Sequence, residues 1–361
     1  MTVIGSVGTQ HARYSYSQEA VKDIVNALFD YPERKMQRLL QVFDSALINE
    51  RQFSVNEQWF YEEHPFSDRN RLYLTCALED SLKAIDTCLT DQQFLHNDIP
   101  YEAVDMLIFV SSTGIATPSL EARIMNKRPF RPDTKRMPLW GLGCAGGAIG
   151  LSHASDWISA HPDKTCLLIC TEQCSLTFQK SDQEKSNFIG TALFGDGTSA
   201  VLLLGTKSKY LHYLKGIKPH VILSSSHTEK NTEDVMGWEI SENGLKVIFS
   251  KSIPLLVETI WKTHCLKFLD MLSCNADEID SYIVHPGGAK VLQAMESALS
   301  IKKEQLIYSY QVLYNHGNMS SPTVLYVLKE WLKNGMKQGD KSILSALGPG
   351  FSSELMLLEW R

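Results

Sequence analysis

The chain reads as an α/β protein built from two duplicated halves. Two observations carry that reading. Short apolar runs ending in small-residue loops alternate with amphipathic stretches at helical spacing. The later part of the chain then repeats the outline of the earlier part.

The elements follow in order. Met1 to Gly8 is a short apolar run with no basic leader and reads as a first strand rather than a signal peptide. The rest of the first hundred or so residues reads as mostly helical. Ser17 is placed to cap a helix over QEAVKDIVNALF, Lys35 to Ile48 repeats the pattern with basic residues interleaved, and Arg69 to Leu89 is a longer third helix. Asp105 to Val110 is a buried strand ending in SSTG. Pro138 to Gly143 is another, and Cys144 opens a helix, CAGGAIGLSHASDWIS. Thr165 to Thr171 and Thr198 to Leu204 are further strands. In the second half the strand Asp280 to Val284 ends in HPGG, Gly317 to Pro322 opens a helix, the strand Lys341 to Leu347 ends in GPG, and Glu354 to Trp360 closes the chain. The division falls between Lys209 and His220, giving residues 1–215 and 216–361. No Pro- or Gly-rich linker separates the halves, so one continuous core is expected.

Composition excludes several function classes. Hydrophobic residues make up 43% and charged residues 21%, the balance of a globular protein with a large core. The net charge of −6 provides no general attraction to nucleic acid or anionic lipid, so a phosphate-bearing ligand needs a local basic patch. No run approaches the roughly 18 apolar residues of a membrane span. The eight cysteines are spread thinly through apolar runs, as expected of reduced thiols in a cytosolic enzyme. Cys166, Cys170 and Cys174 are spaced by four, but TCLLIC is a β-type run with no His nearby, which argues against a metal site.

Cys144 follows a strand, lies between Gly143 and Ala145-Gly146-Gly147, and begins a helix. Small neighbours allow a tight turn and close approach of a substrate. A helix N-terminus favours the thiolate, so the position suits a nucleophile. His285 ends a strand beside Pro286-Gly287-Gly288. Asn318, in HGNMSSP, stands at a helix start, where an Asn also makes a good cap. All three fall where the duplicated halves would converge.

The segments WGLGCAGGAIGL, ALFGDGTSAVLL, IVHPGG, GNMSSPT and LGPG resemble those of type III polyketide synthases, the chalcone synthase superfamily, in order and spacing across nearly the whole chain. The N-terminal region through RQF, Arg51 to Phe53, is similar to bacterial alkylpyrone and alkylresorcinol synthases. The resemblance implies a five-layered, thiolase-like αβαβα fold and a homodimer. It implies Cys144 as acyl acceptor, with His285 and Asn318 completing a triad. It implies acyl-CoA and malonyl-CoA as substrates, with neither metal nor redox cofactor. In that chemistry the Cys144 thiolate pairs with a His285 imidazolium, and His285 and Asn318 donate to the enolate oxygen left by decarboxylation.

The resemblance also assigns a lining. Phe194 matches a gatekeeper phenylalanine between CoA tunnel and cavity. Val247 falls at the second gate, with Phe249 two residues on. Thr117 matches a residue that reaches across the dimer into the partner's cavity. Cys174 and Thr177 match cavity positions, and Gly348-Pro349-Gly350 matches a substrate loop, although Ala346 and Leu347 depart from its leading residues. Lys35 and Arg38, one helical turn apart, resemble CoA-phosphate contacts, and a third basic contact has no clear counterpart before Arg51. Small residues at Thr117 and Val247 suggest a long-chain fatty acyl starter and alkylpyrone or alkylresorcinol products. The alternatives are a ketoacyl-carrier-protein synthase III, which shares the triad, and a silent thiolase-fold scaffold. GNMSSPT and GPG favour the polyketide reading.

Overall fold

The computed structural model describes residues 1–361. The strands are β1 (Thr2–His11), β2 (Tyr14–Ser17), β3 (Glu50–Phe53), β4 (Met106–Val110), β5 (Lys135–Leu139), β6 (Thr165–Gln173), β7 (Asp196–Gly205), β8 (Pro219–Thr228), β9 (Met236–Ser241), β10 (Gly244–Phe249), β11 (Ser281–Val284), β12 (Lys341–Gly348) and β13 (Ser352–Trp360). The helices of at least eight residues are α1 (Gln18–Leu28), α2 (Glu33–Ser45), α3 (Phe66–Thr90), α4 (Gly146–Ala160), α5 (Lys185–Leu193), α6 (Lys262–Met271), α7 (Ala289–Leu299), α8 (Ile307–His316) and α9 (Thr323–Asn334). None is long and apolar enough to cross a membrane.

Nine strands join in the order β11-β12-β13-β8-β1-β7-β6-β4-β5. Outward from the middle, β1-β7-β6-β4 and β8-β13-β12-β11 repeat one pattern, antiparallel until a final parallel pair. The two sets meet through only two residue pairs, Thr2 with Val221 and Val3 with His220. They therefore behave as two sheets. Between them lie α4, packed on β4, β6 and β7 of one sheet and on β12 and β13 of the other, and α9, packed on β1, β7, β11 and β12. Helix α3 covers the outside of the first sheet, and α6 and α8 lie against strands of the second. The result is the αβαβα layering expected.

A helix between two sheets must be apolar or small all round. In α4 the residues Gly146, Gly147, Ala148, Gly150, Leu151, Ala154 and Ile158 are buried accordingly. The expectation of one core is corrected. A cluster of 64 buried residues runs through both halves, and a separate cluster of 28, around Trp261, Phe268 and Met295, is mostly drawn from the second half. A second sheet screened from the first by a helical layer needs its own apolar filling on its far side.

Several boundaries moved. The first hundred residues carry β1 and the β2–β3 ribbon beside their helices. The Pro138–Gly143 strand is shifted to Lys135–Leu139. Trp140 is half exposed and Gly141 and Gly143 take φ of +85° and +49°, which ends the ladder. Cys144 sits in a single 3₁₀ turn, Gly143–Ala145, and the α-helix begins at Gly146. Asn318 is not a helix cap, because α9 starts at Thr323.

Close approach of the halves depends on missing side chains. A Cβ on Gly147 would lie 2.3 Å from the Ser321 carbonyl oxygen. Gly147→Ala is expected to destabilise the fold by about 1–3 kcal/mol, read as a lower urea midpoint.

Candidate active site

The Cys144 turn is held from three sides. Ser112, in the loop after β4, accepts a hydrogen bond from the Gly143 N–H at 3.0 Å. Pro349 packs where a Gly143 Cβ would stand, 2.8 Å away, and Gly348 lies against Ala145 and the Leu142 carbonyl. From α9's approach, Ser321 closes on Gly146 and Gly147. The small residues around Cys144 thus admit the protein's own second half. Of the expected Gly348-Pro349-Gly350 loop, Gly348 and Pro349 buttress the Cys144 turn, and none of the three lines the cavity or the cleft described below.

Asn318 is pinned by its backbone. Its N–H donates to the Leu193 carbonyl and its carbonyl accepts from the Gly195 N–H, both at 2.9 Å. Its Oδ1 accepts from the Ser320 N–H at 2.8 Å, and its Nδ2 donates to the Gly287 carbonyl at 3.3 Å. Those two bonds fix which way the amide faces. The Cys144 Sγ lies 3.8 Å from Oδ1 and 3.9 Å from Nδ2.

His285 follows β11, with its N–H on the Ser345 carbonyl at 2.8 Å. Its ring is buried, and neither ring nitrogen has a hydrogen-bond partner. Gly287, whose carbonyl holds the Asn318 amide, lies against the Nε2 edge of that ring. An orphaned buried imidazole is a donor and acceptor awaiting a ligand. Burial pushes the Cys144 thiol up to about 11 and His285 down to about 3. Burial thus disfavours the charged form of both groups and opposes the effect of the helix N-terminus that favours the thiolate.

Four expected lining residues come together. Cys174, Thr177, Phe194 and Val247 share one cavity of about 30 Å³ with Phe53, Phe60 and Phe178. Phe194 also meets Phe249 edge-on at 6.3 Å and Trp238 at 6.1 Å. Phe249 lines an outer cleft of about 570 Å³, whose floor includes Leu193 and Gly287-Gly288 and whose rim carries Arg38, Lys185, Lys251 and Lys290. Phe194 thus lines the cavity and touches Phe249, which lines the cleft. Arg38 stands at the cleft as expected. Lys35 does not: its ammonium lies 3.5 Å over the Tyr31 ring, an attraction that turns it away. Thr117 is exposed on a surface loop, away from this chain's own cavity.

Residues 14–264 match the family model for FAE1/type III polyketide synthase-like proteins, and residues 221–360 match that for the C-terminal domain of chalcone and stilbene synthases. The chain belongs to the type III polyketide synthases. It is 44% identical to the "Putative chalcone synthase" of Bacillus subtilis (strain 168), over 100% of this chain and 99% of that protein. It is 33% identical to the 1,3,6,8-tetrahydroxynaphthalene synthase of Streptomyces peucetius subsp. caesius, over 99% and 93%. The crystal structure of the Streptomyces coelicolor 1,3,6,8-tetrahydroxynaphthalene synthase superposes with a TM-score of 0.89 at 23% identity, over 100% of this chain and 99% of that one, which fixes the thiolase fold.

Several residues that build this polyketide synthase site escaped the sequence reading. Glu172 is fully buried without a cation. Its Oε2 accepts from the Ser112 N–H and the Thr113 hydroxyl, both at 2.9 Å, and its Oε1 from the Ser321 hydroxyl at 2.8 Å. Burial raises it to about 7 against those bonds. It ties the loop that holds Gly143 to the turn that carries Asn318. Lys185, Lys251 and Lys290 come from three distant segments; only Lys290, just after HPGGA at a helix start, carried a local signal.

A proton-linkage experiment tests the neutral histidine. The folded value lies below the ordinary 6.5, so His285 contributes stability above pH 6.5 that is lost as pH falls toward 3. His285→Asn removes that loss. Urea unfolding at pH 6.5, 5.5 and 4.5 should show the variant gaining about 1.4 kcal/mol per pH unit relative to the parent.

Proposed function

We propose that this protein is an acyltransferase that extends an acyl-CoA starter with malonyl-CoA on Cys144. The carrying observation is the Cys144–Asn318 contact beside an orphaned His285, joined through Gly287, which accepts from the Asn318 amide, to a basic-rimmed cleft that Gly287 lines. His285, neutral at rest, takes the thiol proton as the sulfur attacks the starter thioester, and CoA leaves. Malonyl-CoA then loses CO₂, and the enolate oxygen receives hydrogen bonds from Asn318 Nδ2 and His285. The enolate carbon attacks the Cys144 thioester, and the lengthened chain returns to the sulfur for the next round. No step calls for a metal or a redox cofactor, and CoA is the carrier.

The rim supports a CoA site. Arg38, Lys185, Lys251 and Lys290 offer four cations to phosphates, and Lys185 and Lys290 stand in the first turns of α5 and α7. A homodimer is supported by the surface loop of Thr117. Beside it Ile115, Trp140 and Ile240 are 43%, 51% and 62% exposed, and β5 has a free edge. From there Thr117 would enter the partner's cavity. Eight unpaired thiols suit a cytoplasmic enzyme.

For the starter we favour a long fatty acyl chain, giving alkylpyrones or alkylresorcinols, on the small side chains Thr117 and Val247. One observation favours a second reading. The cavity of about 30 Å³ holds only about one or two waters, so a long tail requires Phe194 or its neighbours to swing aside. A malonyl-derived starter needs less room. Incubation with malonyl-CoA, with and without palmitoyl-CoA, separates the two. Palmitoyl-derived triketide or tetraketide pyrones support the first, and products from malonyl-CoA alone support the second. Cys144→Ala should fold normally and load no acyl group, read by mass spectrometry of the intact protein. If another cysteine carries the acyl group, the proposal fails.

The rim gives a separate expectation. Arg38→Ala combined with Lys290→Ala should raise KM for malonyl-CoA with kcat little changed, and added salt should narrow the difference from the parent.

A further inference from the structure

Arg51 is wholly buried and has no carboxylate partner. Its Nε–H has no acceptor either, so neither charge pairing nor full hydrogen bonding accounts for its presence. It is also no CoA contact, since it stays out of the basic cleft. What it touches is the C-terminus of α5.

An α-helix leaves its last four carbonyls without intrahelical donors. In α5 each finds a separate one. The Gly190 carbonyl accepts from the Phe194 N–H at 2.8 Å. The Thr191 carbonyl accepts from Arg51 Nη1 at 2.7 Å. The Ala192 carbonyl accepts from Gln18 Nε2 at 3.1 Å. The Leu193 carbonyl accepts from the backbone N–H of Asn318 at 2.9 Å. Arg51 Nη1 continues to the Phe194 carbonyl at 3.1 Å, while Nη2 donates to Gln18 Oε1 and so orients the second donor. The helix end is thus a single hub, holding the gate residue Phe194 and the backbone of Asn318 together. A buried cation is stabilised there by the negative end of the helix instead of by an acid. The stem of Arg51 also approaches Gly317, 3.5 Å from where its Cβ would be.

We infer that Arg51 is a positioning residue for decarboxylative extension: by closing the end of α5 it sets where Asn318 places its amide beside Cys144. The inference rests on the proposed role of Asn318 in malonyl-CoA decarboxylation. Acyl loading uses the Cys144 sulfur and a starter thioester, and needs Asn318 placement less. A displacement of the amide by a fraction of an ångström should therefore split the two half-reactions.

The test compares parent, Arg51→Met, Arg51→Lys and Asn318→Ala as full chains. Thermal unfolding and circular dichroism are recorded first. Starter loading onto Cys144 is then followed by mass spectrometry, and malonyl-CoA decarboxylation by CO₂ release. Parent decarboxylation that disappears in Asn318→Ala supports the underlying reading; a parent that never decarboxylates, or an unaffected Asn318→Ala, sinks that reading independently of Arg51. In Arg51→Met, kcat for decarboxylation should fall roughly tenfold to a hundredfold, while loading changes less than about twofold and KM for malonyl-CoA holds. Arg51→Lys, which keeps the charge at the helix end but reaches fewer carbonyls, should show the same split at smaller size. A merely structural role would lower both half-reactions together with the folded fraction. Parallel losses, a folded variant with parental decarboxylation, or failure of both variants to fold would each overturn the inference.

Discussion

The catalytic turn depends on backbone approaching backbone where no Cβ intervenes. Gly143, Gly146 and Gly147 let Pro349 and Ser321 press against the segment that carries Cys144, and Gly348 returns the contact from the other half. Each of these positions would be sterically blocked by a methyl group. That constraint sets the spacing between α4 and α9, and hence between the thiol and the Asn318 amide. Glu172 reinforces it by accepting from Ser112 and Thr113 on one side and from Ser321 on the other. A buried carboxylate without a cation is costly unless such donors meet it, so the tie is strong only while all of them stay in place.

The same tight packing buries the site, and burial shapes its electrostatics. It raises the Cys144 thiol and lowers His285, disfavouring the charged form of each. The cations are kept outside, on the rim of the cleft. Such a division suits a substrate with highly charged phosphates at one end and a neutral thioester at the other. In the proposed extension, charge would develop on an oxygen facing Asn318 Nδ2 and the His285 ring.

How much of this was legible in the sequence follows from how local each signal is. Cys144 was legible because strand, glycines and helix lie in one contiguous stretch. His285 was legible as a strand end; Asn318 was read at a helix start and stands in the turn before it, and the family pattern joined the two. The gate was half legible: Phe194 and Val247 fall in named motifs, but Phe249 and Trp238 join them only through the β9–β10 hairpin. Arg51 was read only as part of RQF, because the region reads as helical and the end of α5 that it meets lies 140 residues away in the chain. Lys35 was misread for the converse reason. Its helical spacing from Arg38 was right, but the neighbouring Tyr31 ring that claims it lies before the helix starts.

The duplicated topology explains why these residues meet at all. In each half the loop after a parallel-paired strand, β4 or β11, holds a turn of the site. Ser112, after β4, accepts from Gly143 beside the nucleophile; the Gly287 carbonyl, after β11, accepts from the Asn318 amide. The two turns then face each other across the central helical layer. Chemistry at the seam needs no symmetry in the residues themselves, only in the strands that deliver them. One half can therefore carry Cys144 and the other Asn318 without disturbing the sheets. The end of α5 adds an element with no counterpart in that symmetry. Through the Leu193 carbonyl it holds the backbone of Asn318, and through Arg51 the carbonyl of Phe194, so one capped helix end positions residues that come from both halves.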